Sequence, residues 1–293
     1  MKNHITLIII LSILMYNCSN RNDISDAYGN FEAQEVLISS ETPGKIIYFF
    51  VEEGQKLRSG DTVGLIDTIP LYLQKQQLLA AIEAVRTKKS TVNAQVELLK
   101  EQKNTLLVEK DRIEKLLRDG AATTQQMDQI EGQLKTLNSQ IKSTETQFAG
   151  LDSEIHSIEV QIEQVSDKIR RCFIINPIHG TVLEKYAEPY EMAVAGRILY
   201  KIADLDRMNL RAYVSGEQLP QIQLGQEVTV LIDRDSQTNQ ELAGTITWIS
   251  EKSEFTPKII QTKEERVNLV YAVKIQVQND GSIKIGMPGE VRF

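Results

Sequence analysis

Cysteine and histidine, the side chains most often used in catalysis and metal binding, are few and scattered in this chain. The two cysteines, Cys18 and Cys172, and the three histidines form no cluster with metal-ligand spacing. His179 precedes Gly180, and with no partner carboxylate or nucleophile pattern beside it we interpret it as a turn residue. We therefore expect no enzyme, no metal site and no cofactor.

A second group of residues is suited to recognition: Arg112, Leu116, Gly120 and Thr123. The arginine offers a planar set of donors for carbonyls or carboxylates, and the leucine offers an apolar knob. The threonine hydroxyl can cap a helix and also donate outward. A plain structural interpretation fits as well: Arg112 solvated, Leu116 in a helical core and Thr123 only an N-cap. Spacing alone leaves both interpretations open.

The elements that would position these residues are two long helices. Apolar residues recur every seven positions, which is typical of helices that pack knobs into holes. The first run is Leu71, Leu78, Val85, Val92, Leu99, Leu106 and Ile113, and the second is Met127, Leu134, Ile141, Phe148, Ile155, Ile162 and Ile169. In the second run, the residues three positions further along are also apolar, apart from Thr144. In the first run, the positions that would form the matching second seam are interrupted by Lys89, Lys103 and Lys110. Lysine stems can cover such a seam while their ammonium groups reach water.

Gly120 is a natural helix stop, and Thr123 or Thr124 is a natural N-cap for the next helix. Folding back there pairs Leu71 with Ile169 and Ile113 with Met127. Residues 75–118 hold ten basic and six acidic side chains, whereas 119–172 hold five and nine, which favours side-by-side arms. We expect a hairpin over 68–172 with arms of ~70 Å.

The N-terminus has the pattern of a targeting signal. Lys2 precedes the apolar run Ile5 to Met15, which is short for a membrane span. Residues 14–18 resemble a bacterial lipoprotein signal, which implies a signal peptide at 1–18, lipid on Cys18 and location in the cell envelope. A secretory signal cleaved nearby and an uncleaved anchor are the alternatives. Residues 19–29 are polar and are interpreted as a tether.

The segments on either side of the hairpin contain short β-prone runs separated by glycine turns, from Pro43 to Asp67 and from Ile174 to Asp204. Neither is long enough to bury a core alone, so we expect one sandwich formed by both. Residues 44–61 resemble half of a biotinyl/lipoyl domain. The lysine turn of a carrier domain is replaced by the hairpin, so an acyl-carrier function is rejected.

A lipoyl-like domain at 30–67 plus 173–204, split by a helical hairpin, resembles the HlyD-type periplasmic adaptors, also called membrane fusion proteins. The family's tip pattern of Arg, Leu and Gly-Ala-x-Ser/Thr is matched by Arg112, Leu116, Gly120, Ala121 and Thr123. The resemblance implies that this tip docks on a TolC-like outer-membrane channel. It also implies a homo-oligomeric ring and an inner-membrane transporter as partner.

Residues 205–293 contain several short strand patterns and are predicted to form a small β-barrel, with Trp248 in its core. Residues 255–257, Phe-Thr-Pro, and the end of the sequence at Phe293 are more similar to adaptors of ABC transporters than to those of RND pumps. The fold class expected is multidomain α+β: a coiled-coil hairpin inserted in a split lipoyl domain, followed by the barrel.

The function expected is therefore an adaptor that bridges a transporter, preferably of ABC type, to an outer-membrane channel for efflux or secretion. The alternatives are a structural coiled-coil envelope lipoprotein and an adaptor for an RND or MFS pump. The net charge of −7 comes without any basic block, so we do not expect nucleic acid as a partner.

Overall fold

The computed structural model of the protein describes residues 25–234, 238–255 and 269–293. The predicted signal peptide at 1–18, lipidation at Cys18 and the start of the tether lie outside these residues, as do Thr256 and Pro257. Within the described ranges, no helix combines the length and the apolar character that a membrane span needs.

Two antiparallel helices form the predicted hairpin: α1 (Ile69–Arg118) and α2 (Thr124–Arg171). They contain 50 and 48 residues, so each is ~75 Å long at 1.5 Å per residue. Their buried residues all lie at the predicted heptad positions: Ile82, Val85, Val96 and Leu99 on α1, and Ile130, Leu134, Leu137, Ile141 and Val165 on α2. The coiled-coil hairpin is thus confirmed.

The lysines that interrupt the seam behave as predicted, with half-buried stems. Lys89 Nζ lies 2.6 Å from Asp152 Oδ1 and 5.9 Å from the ring centre of Phe148. Lys110 Nζ lies 2.9 Å from Glu131 Oε1. In each ion pair, the residue on α1 and the residue on α2 are the same number of positions from the turn near Gly120. The two pairs therefore fix the same register between the helices as the apolar seam does.

Two four-stranded sheets pack at the base of the hairpin. The strands before the hairpin are β2 (Glu35–Ser39), β3 (Gly44–Phe49), β4 (Lys56–Leu57) and β5 (Thr62–Ile66). Those after it are β6 (Phe173–Ile175), β7 (Gly180–Lys185), β8 (Met192–Ala193) and β9 (Ile198–Ala203). One sheet has the order β2-β9-β7-β4 and the other β6-β5-β3-β8. Each sheet takes strands from both sides, and residues of both halves, such as Ile46 and Ile202, share one core.

The remaining strands form a third sheet. They are β1 (Ala27–Glu32), β10 (Arg207–Ser215), β11 (Glu227–Asp233), β12 (Asn239–Ile249), β13 (Glu254–Phe255), β14 (Leu269–Gln278) and β15 (Pro288–Arg292), with a 3-10 turn at Leu219–Gln221. Their order is β10-β1-β15-β11-β12-β14-β13. Because β10 also pairs with β14, six of these strands close into a barrel and β13 is added at the side. Phe31 and Leu210 are among the residues that fill its interior.

The position of β1 corrects the boundaries expected from the sequence. Residues 27–29 were assigned to the tether and 30–32 to the lipoyl-like domain, but both belong to β1, between β10 and β15 of the barrel. The alternation of apolar Ala27 and Phe31, each 1% exposed, shows the period of a half-buried strand. The barrel is therefore built from both ends of the described chain.

The prediction that Trp248 lies in the barrel core was wrong. Ile246 pairs with Ile275 inside the barrel, but a register shift then pairs Trp248 with Lys274 on the outer surface. One extra residue on β12 forms a β-bulge, which reverses the inward and outward alternation. Trp248 is consequently 40% exposed, with Lys274 Nζ lying 5.7 Å from its ring centre.

Candidate docking site at the hairpin tip

The end of α1 is a glycine-terminated helix stop. Gly120 has a φ of 71°, which is the left-handed conformation that glycine adopts at little cost. Its N–H donates to the Leu117 carbonyl at 3.1 Å, and the Ala121 N–H donates to the Leu116 carbonyl at 2.8 Å. This pair of hydrogen bonds is the Schellman motif. It satisfies two carbonyls that the helix would otherwise leave open and turns the chain toward α2.

The start of α2 is a capping box. The Thr123 hydroxyl accepts from the Gln126 N–H at 3.4 Å, and the Gln126 side chain accepts from the Thr123 N–H at 2.9 Å. These bonds satisfy donors at the helix start. Thr123, rather than Thr124, is therefore the N-cap. Gln126 was not predicted as part of the turn, although a threonine followed three residues later by glutamine is the sequence signature of this motif.

Arg112 and Leu116 lie four residues apart on α1, so they are neighbours on one face of the helix. Leu116 is 38% exposed, and the half-buried Leu117 beside it occupies the seam. The interpretation of Leu116 as coiled-coil core is therefore wrong. The Arg112 side chain is 67% exposed and lies 3.1 Å from Glu109, which leaves most of its guanidinium open to a partner.

The charges around this face are largely paired within the hairpin. Lys115 Nζ lies 2.7 Å from Asp111 Oδ2, and this hydrogen bond, with the attraction of Lys115 and Arg118, lowers the pKa of Asp111. The hydrogen bond to Glu131, followed by its charge, raises the pKa of Lys110. The end of α1 therefore presents an exposed guanidinium beside an exposed leucine, together with the exposed residues Glu114 and Arg118.

The other residues considered in the sequence lie far from this tip along the chain. Cys172 is 1% exposed, and Thr42 Oγ1 donates to its Sγ at 3.7 Å, so it is packed at the hairpin base as expected. His179 does have a carboxylate neighbour, contrary to the sequence analysis: Asp206 Oδ2 lies 3.6 Å from its Nε2. The same carboxylate is bound by Lys56 at 3.0 Å, and all three side chains are exposed.

The described residues contain no group of three or more acidic, histidine or cysteine side chains placed to hold a metal ion. The tip combines an exposed cation, an exposed apolar side chain and a rigid turn, which is a geometry suited to binding another molecule.

Comparison with known proteins finds relatives over nearly the whole chain, although no family model matches it. A UPF0194 membrane protein of Yersinia enterocolitica is 24% identical over 327 residues, covering 99% of this chain and 96% of the relative. The crystal structure of MacA from Actinobacillus actinomycetemcomitans matches with a TM-score of 0.58 and 20% identity, covering 93% of this chain and 79% of MacA. A MacA-MexA chimeric protein that contains the MexA α-hairpin domain of Pseudomonas aeruginosa also matches with a TM-score of 0.58 and 20% identity, covering 92% of this chain and 80% of the chimera.

The sequence resemblance is thereby confirmed: the chain has the fold of the membrane fusion proteins, or periplasmic adaptors. The likeness extends across the hairpin, the sheets at its base and the barrel, since nearly all of the chain is aligned.

Proposed function

We propose that the protein is a periplasmic adaptor that bridges an inner-membrane transporter to a TolC-like outer-membrane channel, for efflux or secretion. The observation that carries this proposal is the exposed face of Arg112 and Leu116 at the far end of a ~75 Å double helix. A hairpin of this length reaches across a wide gap, and its tip offers a cation and an apolar side chain to a partner. The protein itself would perform no chemistry.

The two ends of the molecule would have different partners. The tip, with Gly120 and Thr123 holding the turn, would meet the channel. The two four-stranded sheets, as a split lipoyl-like domain, and the barrel would form the transporter side of a homo-oligomeric ring. Lipid on Cys18 would hold this side at a membrane. An ABC transporter is favoured by the family-like Phe-Thr-Pro at 255–257, and an RND or MFS pump is the alternative.

Photo-crosslinking from single positions tests the docking at the tip. Leu116, Leu107 and Leu98 are all exposed leucines of α1, at 38%, 43% and 53%. Leu107 lies nine residues from Leu116, on the opposite face of the helix, whereas Leu98 lies on the same face about 27 Å further from the tip. We would place p-benzoylphenylalanine at each position in turn and irradiate intact cells.

We expect an adduct with an outer-membrane channel from position 116 and none from 107 or 98. Equal adducts from 107 would show that the face defined by Arg112 and Leu116 is not the docking surface. Absence of any channel adduct from position 116, with the protein present at its normal level, would contradict the bridge.

The apolar seam itself favours one rival function, a structural coiled-coil lipoprotein that holds envelope layers together. In that case Leu116→Asp would leave envelope integrity unchanged, while Leu99→Asp in the buried seam would abolish it. An adaptor instead loses export with either variant, and Leu116→Asp retains the helical circular dichroism of the wild type.

A further inference from the structure

We propose that the cleft between the hairpin base and the sheet that contains β3 and β8 binds an amphipathic organic anion, with one hydrocarbon chain and one acidic head group. The cleft lies at the opposite end of the hairpin from the tip, so the inference does not depend on the docking proposed above. It rests on the size of the cleft, its apolar floor and the pairing of its charges.

The cleft is bounded on one side by the hairpin and on the other by the strands at its base. Its volume is about 1010 Å³, at the upper end of the range for small-molecule sites. The hairpin contributes residues from the first turn of α1 and the last two turns of α2. The opposite side comes from residues 41–43, which connect β2 to β3, and from the starts of β3 and β8 at 44–45 and Met192. A molecule bound there would contact the hairpin and the sheets at once.

Apolar side chains form the part of the cleft suited to a hydrocarbon chain. Pro43, Pro70, Leu71 and Met192 all line it. Met192 is 64% exposed, and the flexible thioether of methionine adapts its packing to ligands of varied shape. Covering this surface with a hydrocarbon chain removes apolar area from water on both partners.

The carboxylates around the cleft are already engaged. Arg171 binds Glu41 Oε2 at 2.5 Å and Asp167 Oδ2 at 2.7 Å. Asp67 Oδ1 accepts from the Ile69 N–H at 2.9 Å at the start of α1. Hydrogen bonds from Arg171 and Arg170 lower the pKa of Asp167, so this carboxylate stays ionised and paired at neutral pH.

Two lysines of the lining, Lys45 and Lys168, by contrast have no carboxylate within ion-pair distance among the described residues. Lys45 Nζ lies 5.2 Å from the ring centre of Tyr190, a contact that leaves its positive charge uncompensated. Glu41 and Asp167 are balanced by Arg171 and Arg170, which leaves two lysines against the single carboxylate of Asp67. The net charge open to a ligand in this cleft is therefore positive, and beside an apolar floor it favours an anion with a hydrocarbon chain.

The test uses the full-length protein in lipid nanodiscs and a dodecanoate that carries an alkyl diazirine. After irradiation, mass spectrometry maps the labelled residues, and dodecanoate, dodecyltrimethylammonium and dodecyl maltoside are compared as competitors. We expect labels on residues 41–45, 67–71 and 164–171 or on Met192, with competition by dodecanoate alone. We also expect dodecanoate to compete about tenfold better than decanoate, because two more methylene groups are buried.

Lys45→Gln and Lys168→Gln should each weaken labelling roughly fivefold, the upper range for an exposed ion pair. Lys142→Gln, which removes an exposed lysine halfway along α2, is the matched control and should change nothing. Met192→Asp, which places a charge on the exposed apolar wall without touching the core, should abolish labelling of the cleft. Labelling confined to other regions, equal competition by the cationic amphiphile, or unchanged labelling in both lysine variants would overturn the proposal.

Discussion

Replacing Gly120 by alanine should destabilise the hairpin tip, because only the backbone conformation opposes the change. Gly120 has a φ of 71°, and a Cβ built there would meet no atom within 4 Å. An L-residue with a side chain is destabilised by about 1–2 kcal/mol in this left-handed conformation. Because alanine has a smaller conformational entropy than glycine in the unfolded chain, about half of this destabilisation is offset. We therefore expect a net loss of about 1 kcal/mol.

Gly132 provides a control, because replacing it by alanine should stabilise the protein rather than destabilise it. It lies inside α2, and a Cβ there also meets nothing within 4 Å. Alanine in a helix interior is better than glycine by about 0.5–1 kcal/mol. Gly120→Asn is a second control, since asparagine tolerates the left-handed region and should cost less than alanine.

Amide hydrogen exchange of the native protein measures these effects locally. The Ala121 N–H, bonded to the Leu116 carbonyl at 2.8 Å, should exchange about fivefold faster in Gly120→Ala, which corresponds to ~1 kcal/mol. Gly132→Ala should slow exchange along the neighbouring turns of α2. If Gly120→Ala left Ala121 exchange unchanged or slowed it, the turn would not have the left-handed geometry on which the position of the tip depends.

Two further predictions concern the seam and the response to pH. Leu99→Ala should lower the free energy of unfolding by about 2–4 kcal/mol, because Leu99 is 9% exposed in the seam; urea unfolding followed by helical circular dichroism measures this. Leu98→Ala is the control, since Leu98 is 53% exposed, and it should lower the free energy of unfolding by less than about 0.5 kcal/mol. Equal losses in the two variants would contradict the seam. The pKa values of Asp111, Asp167 and Glu184 are lowered from 3.8, 3.8 and 4.5, chiefly by hydrogen bonds from Lys115, Arg171 and Tyr186 respectively. Groups with a lowered pKa contribute stability that is present above the unfolded value and lost as the pH falls through the folded value. The melting temperature should therefore be nearly constant from pH 8 to pH 5 and fall below about pH 4, and a fall centred near pH 6 would contradict this assignment.

The hairpin was the part of the fold that the sequence predicted best, because a heptad repeat sustained over nearly fifty residues in each arm has few other structural solutions. Its turn was predictable for a related reason: glycine and threonine each have a specific conformational role there. The heptad spacing also places Leu117, and not Leu116, in the seam, but spacing alone does not say whether the exposed Leu116 contacts a partner.

The barrel was harder to predict because its details depend on contacts between distant parts of the chain. Residues 27–32 were read as tether and lipoyl-like domain since one short strand carries little signal by itself; its partners, β10 and β15, lie far away in sequence. Trp248 faces outward only because of a bulge in β12. The carboxylate beside His179 comes from Asp206, and only the folded chain brings the two together.

The most direct test of the account is to identify what co-purifies with this protein from cross-linked envelopes, in the wild type and in Arg112→Asp. Arg86→Asp is the matched control: Arg86 pairs with Glu83 at i,i+3 and is 59% exposed, much as Arg112 pairs with Glu109 and is 67% exposed, but it lies far from the tip. We predict that wild type and Arg86→Asp recover both an inner-membrane transporter and an outer-membrane channel, and that Arg112→Asp loses only the channel. Recovery of the channel at wild-type levels with Arg112→Asp, or of neither partner with the wild type, would contradict the bridge.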